Sequence, residues 1–221
     1  NAFNDCTTLR DVCISKNVSS IGMRAFSGCY NLTNVVIPEG VTHIKQGAFE
    51  NCIDLTKIVW PESIVSIEYG AFNAYSQRRV KNVYISDLTT WMNFDFTDES
   101  ANPLCGVNVS SNLYVDGVLL KDLVFPEGMT SIKPYVFSGS SLETVVIPDG
   151  VTSIGESAFF CCIALTEITI PDGVTSIGDK AFEDCDSLIS VHIPDRKRGM
   201  EGRTFTRRVA LGGRTILEEV T

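Results

Sequence analysis

Residues Ile147–Cys162 read IPDGVTSIGESAFFCC, and this spelling returns along most of the 221-residue chain. An Ala-Phe or Val-Phe pair recurs with its aromatic at Phe3, Phe26, Phe49, Phe72, Phe137, Phe159 and Phe182, so successive gaps are 23, 23, 23, 65, 22 and 23 residues. Written once, the unit is I-P-[DE]-G-V-T-x-I-x-x-x-A-F-x-x-C-x-x-L-x-x-[IV]-x-I. A fixed period in the twenties predicts a solenoid, because such a unit buries its apolar side only against its neighbours.

Within the unit, L-x-x-V-x-I places two residues two apart, on one face of a strand. Each copy must pair with the same strand of the next turn in the same direction, which predicts a parallel sheet along one side. The I-P-[DE]-G turn supplies a fixed φ at Pro, then an acid and a Gly for the reversal. V-T-x-I, rich in β-branched residues, predicts a second short strand. G-x-x-A-F-x-x-C is too short for a stable helix and predicts one helical or 3₁₀ turn.

Regular units fill residues 1–85 and 120–194, with two extra residues in Ala74–Arg79. Residues 86–119 form an enlarged repeat or insertion. There Leu88, Trp91, Met92, Phe94 and Phe96 predict a short helix or turn followed by an extended piece. Leu113–Leu120 predicts a hairpin about Asp116-Gly117. In residues 195–221 the spelling decays, although Met200 and Phe205 keep the spacing and Leu217–Val220 resembles a repeat strand. That end reads as a diverged repeat, a cap, or sequence foreign to the array.

Apolar residues make up 44% of the chain and charged residues 20%, which argues for a folded domain and against disorder. No apolar run approaches the ~20 residues that cross a bilayer, and no signal peptide is present. The chain starts mid-repeat at Asn1-Ala2-Phe3 and reads as a fragment of a longer protein. The missing signal therefore decides nothing about location. Residues 1–194 carry 23 acids and 11 bases, while residues 195–221 carry 4 acids and 7 bases. An acidic body lacks the clustered Lys and Arg that neutralise phosphates, so nucleic acid is not an expected partner.

No catalytic constellation emerges. His43 and His192 are the only histidines and lie many turns apart. No G-x-S-x-G, H-E-x-x-H or phosphate-binding glycine loop occurs. Cys6, Cys29, Cys52, Cys162 and Cys185 share one column, three residues after the Phe. Stacked thiols with parallel Cβ vectors, ~4.8 Å apart, are expected to stay reduced. Cys13 is one residue off its column and is the expected exposed thiol. The turn acids Glu39, Glu127, Asp149 and Asp172 form another column, with Glu62 and Asp195 at the same point. One carboxylate per turn is expected as a solvated row rather than a calcium site. No metal or cofactor is expected.

At Ile147–Leu165 and Ile170–Leu188 the spelling I-P-x-G-V-T-S-I-G-x-x-A-F-x-x-C-x-x-L resembles the BspA-type leucine-rich repeat, and the resemblance covers residues 1–194. The interruption resembles an enlarged repeat of that family, carrying D-L-x-x-W, N-P-L and a hairpin. Here these are Asp87-Leu88-Thr89-Thr90-Trp91, Asn102-Pro103-Leu104 and Leu113–Leu120. The resemblance implies an α/β solenoid, a right-handed leucine-rich-repeat horseshoe with one parallel strand per repeat. It also implies an extracellular or cell-surface location and a role in adhesion or protein binding.

The expected function is accordingly a non-enzymatic binding module that holds a protein, such as a host extracellular protein, or a glycan. A structural spacer and a targeting module of a larger enzyme are the alternatives. The expected binding face is the outward side of the strands: Asn34, Val36, Lys57, Val59, Asn82, Tyr84, Asp122, Val124, Thr144, Glu167, Thr169 and His192, flanked by Asp11, Cys13, Val146 and Ser190. Trp91, Phe94 and Phe96 are expected either as ligand-facing anchors or as a plug seating the insertion on the solenoid. Asn17-Val18-Ser19, Asn31-Leu32-Thr33 and Asn108-Val109-Ser110 are glycosylation sequons, relevant only in a eukaryotic source.

Overall fold

The computed structural model describes residues 1–73, 80–105, 110–192, 209–211 and 214–216. Expectations for Ala74–Arg79, Asn108, Met200, Phe205 and Leu217–Val220 lie outside the described residues. In chain order the elements are β1 (Ser20–Ile21), β2 (Asn34–Val36), β3 (His43–Ile44), β4 (Lys57–Val59), β5 (Ser66–Ile67), β6 (Asn82–Ile85) and α1 (Leu88–Met92). A 3₁₀ turn (Glu99–Ala101), β7 (Asn112–Val115), β8 (Val118–Leu119), β9 (Asp122–Val124), β10 (Ser131–Ile132), β11 (Thr144–Val146) and β12 (Ser153–Ile154) follow. β13 (Glu167–Thr169), β14 (Ser176–Ile177), β15 (Ser190–His192), β16 (Val209–Leu211) and β17 (Arg214–Ile216) complete the chain.

The architecture is a β-solenoid. β2, β4, β9, β11 and β13 each bury their middle residue and turn the two flanking ones outward, as the pleat requires. Strands pair in parallel one turn on, with Val36 opposite Val59, Val59 opposite Tyr84 and Tyr84 opposite Tyr114. The V-T-x-I segments make two further three-stranded parallel sheets, β1-β3-β5 and β10-β12-β14.

Two expectations are corrected. The first concerns the strand side, which is not one parallel sheet but two, β2-β4-β6-β7-β8 and β9-β11-β13-β15. The expected hairpin is present, with Asp116 (φ 48°) and Gly117 (φ 78°) both left-handed, as a two-residue turn between antiparallel strands requires. Its first arm, β7, also serves as the repeat strand of the enlarged turn. Because β8 occupies the far edge of β7, the next parallel strand, β9, has no edge to join and begins a new sheet. At the foot of the hairpin the turns still touch, since Ser111 donates to Gly139 O at 2.7 Å and Ser141 donates to Ser111 O at 2.9 Å. β8 and β9 are therefore extra strands on one side of the solenoid only.

The second correction concerns class. The regular A-F segments hold neither helix nor 3₁₀ turn, and helix among the described residues is confined to α1 and Glu99–Ala101. The fold is a β-solenoid, not α/β. Around Phe26, the amides of Arg24, Phe26 and Gly28 donate to Gln46, Ala48 and Glu50 of the next turn, while Ala25 and Cys29 donate to Gly22 and Phe26. The alternation needs left-handed residues two before and two after the Phe: Arg24 (φ 50°) and Gly28 (φ 73°), Ser157 (50°) and Cys161 (55°), Lys180 (57°) and Asp184 (58°). For residues other than Gly this conformation costs ~1–2 kcal/mol each, and the hydrogen bonds to the next turn hold it in place.

Phenylalanine rings fill the core between turns. Phe3, Phe26, Phe49 and Phe72 stack with centroids 5.3, 5.4 and 5.4 Å apart, and Phe137, Phe159 and Phe182 at 5.6 and 5.4 Å. Between the two columns sits the insertion. Asp87 caps α1 by accepting from the amides of Thr89 and Thr90. Trp91 then meets Trp60 edge-on at 5.6 Å and donates its indole N–H to Val136 O at 3.0 Å. Buried Asn102 donates to Tyr135 O at 2.6 Å and accepts from the Leu104 amide, fixing the N-P-L corner. At the C-terminal end, β16 and β17 form an antiparallel pair rather than a parallel repeat strand.

Candidate binding face

The outward positions form two rows across the strands. The first row runs Asp11, Asn34, Lys57, Asn82 and Asn112, then, beyond the hairpin, Asp122, Thr144 and Glu167. The second runs Val36, Val59, Tyr84, Tyr114 and Leu119, then Val124, Val146 and Thr169. Val36, Val124 and Val146 are 57%, 71% and 61% exposed.

The densest cluster lies beside the hairpin. Tyr84 and Tyr114 stack with centroids 4.5 Å apart and planes 10° apart. The Lys57 ammonium lies 4.7 Å from the Tyr84 ring centre, on the side opposite Tyr114, a cation–π arrangement. Asn112 donates to Asn82 Oδ1 at 3.0 Å. Beyond the hairpin, Thr144 donates to Asp122 Oδ1 at 2.6 Å, and Lys121 pairs with Glu143.

The strand positions expected from sequence between Asn34 and Thr169, and Asp11, lie in these two rows; the side chains of Ser190 and His192 are outside the described residues. Asn112 and Tyr114 join the rows without being among the expected positions, because the Asp116-Gly117 turn marks their segment as a hairpin rather than a repeat strand. A signal was available: Asn112-Leu113-Tyr114-Val115 repeats Asn82-Val83-Tyr84-Ile85 almost residue for residue. Trp91, Phe94 and Phe96 are 2%, 8% and 5% exposed, so as ligand-facing anchors they are corrected: they form the plug. An open groove of about 370 Å³ lies beside them, lined by Ile64, Val65, Thr89, Asn93 and Asp95, away from the two rows.

None of the eight cysteines is in a disulfide, and only Cys13 is exposed. The thiols of Cys29, Cys52, Cys162 and Cys185 each donate to the carbonyl of a Phe one turn back, at 3.1 Å. Burial pushes Cys52 up to about 12 and raises Cys29, while the Cys162 thiol and burial together raise Cys185. A thiol held neutral is a poor nucleophile. Native protein treated with a thiol reagent at neutral pH should show one fast-reacting group, and Cys13→Ser should remove it. Fast modification of Cys52 or Cys185 would contradict this account.

Among the described residues no His, Cys, Asp and Glu side chains cluster as metal ligands. Two of the turn carboxylates engage neighbouring turns instead. Glu39 accepts from the Glu62 amide, and Glu62 accepts from the Ser86 hydroxyl. Thermal melts in EDTA and in millimolar Ca²⁺ should therefore agree to within about two degrees. A specific site filled at that concentration would raise stability by several kcal/mol, of order 3, through mass action, and such a rise would refute the solvated row.

A family model described as BspA type leucine rich repeat region matches in six copies, over residues 1–104 and 107–221. No curated protein matches. Among solved structures, a leucine-rich repeat protein from Eubacterium ventriosum is 24% identical with a TM-score of 0.44, over 79% of this chain and 57% of that one. This chain therefore spans little more than half of that protein. The T. pallidum leucine-rich repeat protein is 24% identical with a TM-score of 0.43, over 77% of this chain and 72% of that one. A leucine rich cell surface protein from Faecalibacterium prausnitzii is 21% identical with a TM-score of 0.31, over 86% and 74%. No helix among the described residues is long and apolar enough to cross a membrane.

Proposed function

Since the chain belongs to the BspA-type leucine-rich repeat family, we propose that it is a non-enzymatic binding module of an extracellular or cell-surface protein. It acts in adhesion by holding another protein across its strand face, and its solenoid has the right-handed curvature of a leucine-rich-repeat horseshoe. The observation that carries the reading is the Tyr84–Tyr114 stack with Lys57 over its open end, set in a row with half-exposed Val59 and exposed Val36. Aromatic side chains placed among apolar neighbours are the residues on which protein interfaces concentrate their binding energy.

The same stack favours a protein ligand over a glycan. A pyranose stacks on a free aromatic face. Both faces of the Tyr84 ring are occupied, one by Tyr114 and the other by Lys57, and β8 runs along the far side of Tyr114 with Leu119 opposite it in register. The two tyrosines are half-buried, a setting that suits a polypeptide.

Arrayed extracellular proteins and arrayed glycans, probed with the same chain, test the reading. Binding is expected on protein spots, weakened at least about tenfold by Tyr84→Ala or Tyr114→Ala. Glycan binding that depends on those tyrosines would refute the protein reading. A chain that binds neither array would favour a spacer.

A further inference from the structure

We infer that the strand face over β2, β4, β6 and β7 is shaped for one amphipathic α-helix of the protein partner, lying across the strands; this rests on the strand-face reading above and names its ligand. Width is the first argument. Three strand residues span ~10 Å, which is the diameter of a helix with its side chains, ~10–12 Å.

Pitch is the second. Rows advance by ~4.8 Å per strand, so the four strands cover about 14 Å along the axis. A helix returns an apolar residue to one face every ~5.4 Å, and three turns cover about 16 Å. An extended chain returns to one face every ~6.7 Å and covers about 20 Å in three steps. Only the helix keeps its side chains in step with Val36, Val59, Tyr84 and Tyr114.

Charge is the third. Lys57 has no carboxylate partner among the described residues and holds its ammonium over Tyr84. It sits in the row beside the apolar one, where the polar flank of a docked helix would place a Glu or Asp. Asn34, Asn82 and Asn112 extend that row as hydrogen-bonding groups. Beyond the hairpin, Asp122 and Glu167 are exposed in the same row and repel such a flank, which confines the helix to the first sheet.

Two displayed peptide libraries, selected against the whole chain, test this. One carries helices of about 18 residues with apolar positions at i, i+3, i+4 and i+7; the other has the same composition interrupted by proline. Helical binders are expected to enrich, to lose at least about tenfold in affinity against Lys57→Glu and Val36→Asp, and to keep it against Val65→Asp in the groove beside α1. Circular dichroism of each variant confirms that it is folded. No enrichment of helices overturns the inference. If proline-interrupted binders alone are lost on Lys57→Glu and Val36→Asp, the helix is wrong and the strand face stands. Helical binders indifferent to both substitutions, or sensitive to Val65→Asp instead, overturn the inference and remove the strand face as the site.

Discussion

Phe159→Ala should lower stability by about 3–5 kcal/mol. The ring is fully buried between Phe137 at 5.6 Å and Phe182 at 5.4 Å. The turns cannot close over the space it leaves. Phe159 N–H donates to Ala181 O and Phe137 N–H to Ala158 O, both at 2.9 Å, so backbone hydrogen bonds hold the layers at ring spacing. A cavity that cannot collapse puts the cost towards the upper end of that range. Phe3 provides the control, because it stacks on one side only and is 45% exposed. Phe3→Ala should cost clearly less. Urea denaturation midpoints at unchanged slope measure both. Equal losses from the two substitutions would mean that the column is not the core.

Trp91→Ala should have an effect of similar size, about 3–5 kcal/mol for the lost side chain, with a further ~1–3 kcal/mol for the stranded Val136 carbonyl. Its manner of unfolding should differ. Trp91 is where the Phe3–Phe72 column and the Phe137–Phe182 column are joined, through Trp60 on one side and Val136 on the other. In a solenoid, stability is a sum of each turn and its contact with the next. Weakening the one irregular junction should split a single denaturation transition into two. Trp91→Phe keeps much of the volume but not the hydrogen bond, and should lie between parent and alanine variant. A single cooperative transition for Trp91→Ala would show that the plug does not couple the two columns.

How much of this was legible before any coordinates depended on whether a position repeats. The Phe spacing fixed the stacking column, and L-x-x-V-x-I fixed both the strand and the outward residues on either side of its buried middle. Regularity was also misleading. G-x-x-A-F-x-x-C looks like a helical turn in a single unit, because its choice between local and neighbour hydrogen bonds is settled by the next turn, which one unit does not contain. The left-handed residues that express the choice are Arg24, Ser157 and Lys180 in different copies, with no common side-chain chemistry to announce them. Tyr114 was missed for the opposite reason. Its strand is a true repeat strand, but the Asp116-Gly117 turn after it drew the whole segment into a separate motif. Trp91, Phe94 and Phe96 were visible as unusual, yet their direction depends on the gap left by a missing Phe, which spacing alone shows only as 65 residues.

The insertion has one more consequence, for how the chain finds its structure. Units that share a spelling also share hydrogen-bonding partners, so a turn can be laid on the wrong neighbour with its ladder intact. A slip by one whole unit would still put a Phe on a Phe and a Val opposite a Val. Misassembly of this kind is the characteristic failure of repeat proteins. From Asp87 to Ser111 the spelling matches no other unit. Its indole donor at Trp91 and its amide donor at Asn102 stand in this segment and bond Val136 O and Tyr135 O of the turn that follows, beside the Ser111–Ser140 bridge. It serves as the index mark from which the turns on either side count their order, and a chain rebuilt from identical units without it should refold more slowly and into more than one form.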